Sequence, residues 1–469
     1  MLHFQRLIFC GLFFLSLASC SIEKQIGKSA KAEVLDAKVL QTAHVGISIF
    51  NPAANKYLYN HQGDKYFVPA SNTKLPTCYA AMKYLGDSLV GLKYYFANDS
   101  TFIIIPTGDP TFLHDDFKTQ RGYDFLKNSK KSIYISNDNW KDDALGSGWA
   151  WNDYNENYMV ERSPFPISGN TLKATLKGIP SEGKFNLLFD PLFFEKQNKN
   201  FTIQLINSPG IYHIDKVYWK DTLPLFIIKR DKLHNQFQLV DSKSTFLKQE
   251  IPFVTDTLTT ALEILKTDYG LNINPKINKL VSVVDKTNQS SNVKFYSIHS
   301  QPTDSLLKPM MHRSDNFFAE QSLLMVSNEM LGVMNDEKII DTILKTDFKD
   351  LPQKPRWVDG SGLSRYNLFT PQDFVAILNK MKNEFGMERI KVILPTGGEG
   401  TISSYYKADS GYIYAKTGTL SGVVAFSGFL YTKKGKLLIF STLINNHQAS
   451  ATEVRKAIEK FIQGIRNKY

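Results

Sequence analysis

Two stretches at opposite ends of this sequence carry the same mixture of strand and helix patterns, and the long run between them does not. Residues 44–50 are strand-like, Asn51-Pro52 is a turn, and Tyr57-Leu58-Tyr59 is the return strand of a hairpin. After Pro69 the period becomes helical, with Leu75, Tyr79, Met82 and Leu85 along one face. From about residue 101 to 290 the chain breaks into short strand candidates at 102–105, 133–136, 201–206, 225–228 and 237–240, with one helical stretch at 257–267. The mixture then returns. Residues 293–298 read as a strand and 316–330 as a helix striped by Ala319, Leu323, Val326 and Met330. Thr370 caps a helix over 371–381. Residues 423–432 and 436–444 alternate around Lys433-Lys434-Gly435 as an antiparallel hairpin, and 451–465 close as an amphipathic helix. The expectation is one α/β (α+β) domain built from 41–114 and 290–469, interrupted by a β-rich insertion over 115–289.

A length of 469 residues supports two or three domains, and no internal repeat competes with that division. Lys and Arg outnumber Asp and Glu by 56 to 45, but the cations are spread along the chain and no nucleic-acid motif accompanies them. The surplus therefore fits a solvated surface with a weak attraction for an anionic polymer, and no nucleic acid is expected as a partner. Residues 1–20 stand apart: Arg6 is followed by a short apolar run over 7–17, too short to span a bilayer comfortably, as in an export signal. The run ends Leu17-Ala18-Ser19-Cys20, which resembles the bacterial lipobox, so Cys20 is expected to be lipidated, with 21–40 as a polar tether. An ordinary signal peptide with a coincidental cysteine is the plainer alternative. Only Cys20 and Cys78 would survive processing, which leaves no disulfide once Cys20 carries lipid, and no structural metal site is expected.

Three short motifs carry chemistry. Ser71-Asn72-Thr73-Lys74 places a hydroxyl and an amine one helical turn apart, and a serine needs such a neighbour to lose its proton. The Ser-x-x-Lys spacing occurs six times in the chain, so alone it says little. Ser71 is distinguished by following Pro69-Ala70 at a helix start, where unpaired N–H groups suit a developing oxyanion, although a helix cap explains it as well. Ser314-Asp315-Asn316 stands just ahead of a helix, where it too would serve as a cap. Lys416-Thr417-Gly418-Thr419 contains the single Lys-Thr-Gly of the chain: the lysine and hydroxyls suit a carboxylate, and the glycine a closely approaching substrate backbone. A basic edge strand that discourages aggregation is the competing account.

Taken in order, the three motifs resemble those of the penicillin-recognising serine enzymes. The similarity is nearer to D-Ala-D-Ala carboxypeptidases and endopeptidases of the penicillin-binding protein 4 type. It is carried by residues 67–75, by Met311-His312-Arg313-Ser314-Asp315-Asn316 with Ala319-Glu320, by Asp359-Gly360-Ser361-Gly362-Leu363-Ser364-Arg365, by Leu394-Pro395 through Gly400-Thr401, and by 415–420. That resemblance implies a transpeptidase-like domain, an antiparallel sheet flanked by helices, with a long insertion; the corresponding gap in class A β-lactamases is much shorter. It further implies that Ser71 is acylated, Lys74 is its base and Ser314 relays a proton to the leaving group. Asn316 would bind the substrate amide, and Lys416, Thr417 and Thr419 its terminal carboxylate. The N–H groups of Ser71 and Thr419 would form the oxyanion hole, and the charge of Lys416 would favour a neutral Lys74. Peptidoglycan stem peptides would be the substrates and β-lactams covalent inhibitors. No cofactor is implied, and the setting would be periplasmic, with the lipid anchor in a bacterial membrane, the outer one by analogy.

Within the insertion, Gly148-Trp149-Ala150-Trp151-Asn152-Asp153 and Tyr158 resemble a family segment that contacts the stem peptide, which makes Asp153 and Tyr158 candidate substrate residues; a packing cluster of tryptophans is the alternative. Three features depart from the family pattern. Pro76 lies inside the expected helix and implies a kink, Ile402-Ser403-Ser404-Tyr405-Tyr406 lacks a usual arginine, and Pro395-Thr396-Gly397-Gly398 is unusual. His114, His299 and His312 raise the thought of a Ser-His-Asp triad or a metal site, but neither paired-His spacing nor a nucleophile elbow supports it. A DD-carboxypeptidase, with cross-link endopeptidase work open beside it, is the leading expectation. A β-lactamase-like hydrolase and a non-catalytic wall-binding lipoprotein are the competitors.

Overall fold

A computed structural model describes residues 22–179, 184–191, 203–204, 211–212, 226–243, 247–275 and 293–469. The export signal and Cys20 lie outside the described residues, as do most of 201–206. The chain forms two compact units, one from 1–82, 307–315 and 340–469, the other from 83–306 and 316–339.

The first unit is organised by five antiparallel strands: β1 (His44–Asn51), β2 (Lys56–His61), β3 (Ile413–Leu420), β4 (Val423–Tyr431) and β5 (Leu437–Asn445), in the spatial order β3-β4-β5-β1-β2. The expected hairpin joins β4 to β5 with Tyr431 opposite Leu437, and Gly435 at φ 74° takes a left-handed turn position. The first strand pairs with the last, His44 opposite Asn445. Side chains alternate across this sheet, so Ile47, Ile49, Ala415, Val424, Phe426, Phe440 and Ile444 all reach one core. Helix α3 (Ala451–Lys468) closes that core with Val454, Ile458, Phe461 and Ile465, spaced as its 3.6-residue period requires. Ser450 and Glu453 cap its first turn reciprocally.

Residues 21–40 do not behave as a tether. Positions 22–30 are helical and continue as a π-turn over Lys31–Leu35, with Ile26, Ala30, Val34 and Leu40 buried in the same core as α3. Ile26, Ala30 and Val34 recur four apart among lysines, a narrow stripe that composition alone conceals.

On the way to the chemistry the chain makes a 3₁₀ turn over Ala70–Thr73 and then helix α1 (Lys74–Tyr84). Because the α-helix begins at Lys74, Pro76 sits in its first turn, where an N–H has no intrahelical partner, and the expected kink has no cause. Helix α2 (Pro371–Ile393) starts at the expected Thr370 cap but runs past 381, with Gly386 breaking its dihedral pattern at φ 75°.

In the second unit, strands Ile273–Pro275, Ser132–Ile135, Thr101–Pro106, Ser88–Asn98 and Tyr296–Pro302 lie side by side in that order. Lys248–Pro252, Thr171–Ile179 and Lys184–Asp190 make a separate three-stranded sheet. Phe102, Ile104, Ile133, Phe165, Leu172, Phe226, Ile251 and Ile264 fill its core, so the β-rich character expected of the middle of the chain is present. Its bounds differ from 115–289. Ser88–Asn98 pairs with Thr101–Pro106 and with Tyr296–Pro302, which draws 83–114 into this unit, and the helix Asn316–Leu331 belongs to it as well. The architecture is α+β with flanking helices; the sheet of the first unit is antiparallel, whereas in the five-stranded sheet of the second Ser132–Ile135 runs parallel to both its neighbours.

Phe461 is fully buried beneath the five-stranded sheet. Phe461→Ala is expected to lower the unfolding free energy by about 3–5 kcal/mol, read as a drop in the denaturation midpoint with little change in slope.

Candidate active site

Four hydrogen bonds hold the two motif lysines of the first unit, and two of them join one motif to another. Lys74 Nζ lies 3.1 Å from Ser71 Oγ and donates to the carbonyl of Ser361 at 2.9 Å. Lys416 Nζ donates to Ser314 Oγ and to its neighbour's carbonyl at Thr417, both at 2.8 Å. Lys74 and Lys416 are 0% exposed, whereas Ser71 and Ser314 keep partial access to solvent. Burial pushes the Lys416 ammonium well below the ordinary lysine range, and the charge of Lys74 pushes it further. The sequence leads us to expect the charge of Lys416 to act on Lys74; the shift resolved is that of Lys416 itself.

The turn that presents Ser71 is fixed from three sides. Asn72 donates its amide to Ser427 Oγ at 2.7 Å, and Ser427 bonds Ser441 in the next strand at 2.8 Å. Thr73 Oγ1 returns to the carbonyl of Ala70 at 2.9 Å. Gly418 supplies the third constraint. A Cβ there would lie 2.7 Å from the carbonyl oxygen of Pro69 and 3.0 Å from the amide nitrogen of Ser71. The glycine of Lys-Thr-Gly thus admits the protein's own serine turn against β3, where the sequence suggested a substrate backbone. Ala70 at φ 48° and Ser314 at φ 61° hold left-handed conformations, strain of roughly 1–2 kcal/mol each that the surrounding bonds sustain.

The run from Asp359 to Arg365 owes its pattern to one carboxylate. Asp359 accepts from the N–H groups of Gly362 (2.8 Å) and Ser364 (2.6 Å) and from the amide of Asn367 (2.8 Å). Gly362 at φ 85° fits within this turn, since a Cβ would fall 1.9 Å from the carbonyl oxygen of Ala70. The result aims the Ser361 carbonyl at Lys74, a contact that residue identity alone gives no means of finding. Likewise Gly400 at φ 50° lets its loop pack on the carbonyl of His312, and Thr401 then meets Thr417 Oγ1 at 2.7 Å. Thr419 is exposed and accepts a 2.6 Å bond from Arg455 Nη2. Arg455 is a second residue the sequence did not single out, because it lies on the helix that follows the sheet.

Ser71, Lys74, Ser314, Lys416, Thr417 and Thr419 are therefore assembled in one unit. Asn316, two residues past Ser314, opens the helix Asn316–Leu331 of the other unit, where its amide donates to the Tyr158 carbonyl at 2.8 Å. Asp153 and Tyr158 are in that unit too. They bond to each other, and burial with the Asp153 carboxylate raises the Tyr158 phenol to about 12. Trp151 is 68% exposed with Lys232 over its ring at 4.6 Å, while Trp149 stacks on Arg162. Among the described residues no histidine is hydrogen-bonded to Ser71. His299 meets Ser88, His114 bonds the Asp116 N–H, and His312 is held below its usual range by burial, Lys308 and Lys416 against an opposing Glu399. Among the described residues no group of His, Cys, Asp and Glu is arranged to hold a metal ion.

Residues 28–223 and 224–465 match the D-Ala-D-Ala carboxypeptidase 3 (S13) family, together most of the chain. The chain belongs to that family. The D-alanyl-D-alanine carboxypeptidase DacB of Haemophilus influenzae is 25% identical over 93% of this chain and 92% of its own. A D-alanyl-D-alanine carboxypeptidase of Actinomadura sp. strain R39 is 24% identical over 89% and 80%. The crystal structure of penicillin binding protein 4 from H. influenzae has the same fold, with a TM-score of 0.65 at 21% identity over 94% of this chain and 98% of that one. In the S13 chain described here, the family motifs that meet in space are the serine tetrad, Ser314, the Asp359 turn and the Lys-Thr-Gly strand.

The lowered Lys416 has a thermodynamic signature. Its native form releases a proton that the unfolded chain keeps up to about pH 10.5, so wild-type stability rises with pH between the native value and 10.5. Lys416→Met lacks this group. The wild type is expected to gain stability relative to that variant as pH is raised from 7 towards 10, and denaturant titrations at several pH values measure the difference.

Proposed function

We propose that this chain is a serine D-Ala-D-Ala carboxypeptidase acting on peptidoglycan stem peptides through an acyl-enzyme on Ser71. The observation that carries the reading is Lys74 Nζ at 3.1 Å from Ser71 Oγ, with Lys416 and Ser314 joined at 2.8 Å in the same unit. A neutral Lys74 takes the hydroxyl proton as Ser71 Oγ bonds to the penultimate D-Ala carbonyl carbon. The resulting oxyanion lies with the N–H groups of Ser71 and Thr419, donors of the kind worth about 3 kcal/mol apiece. Collapse breaks the amide bond, the departing D-Ala nitrogen receives a proton by way of Ser314, and water then cleaves the ester. Lys416, Thr417 and Thr419 bind the terminal carboxylate. Contacts of Asn316, Asp153 and Tyr158 with the stem peptide belong to the same proposal and rest on the family pattern.

A fluorescent penicillin is expected to label the wild type at Ser71 and to leave folded Ser71→Ala unlabelled. Mass analysis of wall fragments should show terminal D-Ala lost to the wild type alone, and any cleavage of cross-links will appear in the same spectra. An unlabelled, folded wild type that leaves the fragments intact would overturn the enzymatic reading, and a label that is shed quickly would favour a β-lactamase.

The substrate lies outside the cytoplasm, and the signal-like 1–20 segment supports export with lipidation of Cys20. Cells expressing the chain should incorporate labelled palmitate into it, and Cys20→Ser should abolish incorporation. Incorporation that survives this change would remove the anchor from the proposal.

A further inference from the structure

Arg455 lies in the second turn of α3, on the side of β3 that carries Thr417 and Thr419. Its Nη2 donates to Thr419 Oγ1 at 2.6 Å, and its guanidinium stands 6.0 Å from the centroid of the Tyr405 ring. Thr417 and Arg455 line one recess with Ile402, Tyr405, Phe426 and Ile458. Among the described residues no carboxylate pairs with Arg455, and its buried Nε has no hydrogen-bond partner. Arginine is rarely placed in a part-buried apolar setting without a carboxylate or phosphate to take its fork of donors.

The surroundings show where such an anion would lie. Strand β3 has β4 on one side; on the other, Thr396 bridges Tyr414 and Pro395 accepts from the Ala415 N–H, and among the described residues no strand continues that pairing past Lys416, which leaves the edge at 417–420 for an extended peptide. Gly418 holds that strand against the Ser71 amide, which fixes the attacked carbonyl beside it. In an extended substrate the next group along falls roughly 3.5 Å further, a single residue's rise. Thr419 is the residue after Gly418, and a hydroxyl that accepts from Arg455 keeps its own proton to donate.

We propose that Arg455 is a specificity-determining residue of this enzyme, supplying through Thr419 and its own free donors a positive site for the substrate's C-terminal carboxylate. The assignment rests on the carboxypeptidase reading. It gives the carboxylate a permanently charged partner, whereas Lys416 is buried, pushed towards neutrality and engaged with Ser314.

The test compares a diacylated Lys-D-Ala-D-Ala peptide with its C-terminal amide, on the wild type, R455K and R455Q. Losing a charge-assisted contact should reduce the acid-over-amide ratio of kcat/KM about 10- to 100-fold in R455Q, mainly through KM for the acid, with R455K retaining part of the preference. If Arg455 only props Thr419 or the helix, both substrates fall together, the ratio stands, and the assignment is overturned. An active wild type whose ratio is unaltered by R455Q overturns the assignment alone. A folded wild type that hydrolyses neither peptide overturns the carboxypeptidase reading and this inference with it.

Discussion

Two lysine amines withdrawn from water set the terms for the rest of the catalytic unit. Removing an ammonium from solvent is costly unless it is solvated by the protein or gives up its proton. Lys74 is solvated by a serine hydroxyl and the Ser361 carbonyl, Lys416 by another serine and a backbone carbonyl. These acceptors come from four separate stretches of chain, so satisfying the amines and assembling the site are one requirement. The left-handed backbone at Ala70 and Ser314 is part of the same arrangement, held by contacts that also aim the hydroxyls.

Much of this was legible because it depends on local periodicity. The β4–β5 hairpin, the apolar face of α3 and the Thr370 cap follow from alternation, a 3.6-residue stripe and a capping side chain. Stretch 22–35 was misread because a helix buried on one narrow face, with lysines elsewhere, has the composition of a tether. The unit boundary was misplaced for a different reason. Strand Ser88–Asn98 finds its partner at Tyr296–Pro302, some two hundred residues on, and no local signal announces that pairing. Most of the candidate residues that meet in the first unit were named from sequence because chemistry restricts which types can serve. The Ser361 carbonyl and Arg455 were not, one being backbone and the other lying on a helix with an ordinary amphipathic pattern.

Glycines in the motifs have a similar lesson. Gly418 reads in sequence as a substrate-facing position, yet it and Gly362 are both sites where one stretch of the protein's backbone comes against another. They act on catalysis by bringing Ser71, Ser361 and β3 within contact distance. A motif can therefore mark the inside of the machinery as readily as its mouth.

The pairing of β1 with β5 has a consequence in time. During synthesis the strand preceding Ser71 emerges early, while its partner, ending at Asn445, arrives only after nearly all the intervening chain. The intervening unit has its own core and can condense first, but the sheet packed against the Ser71 turn must wait for the last strands. Assembly of the candidate site is thereby delayed until the last strands have been made. The molecule is armed last, by the far end of its own chain.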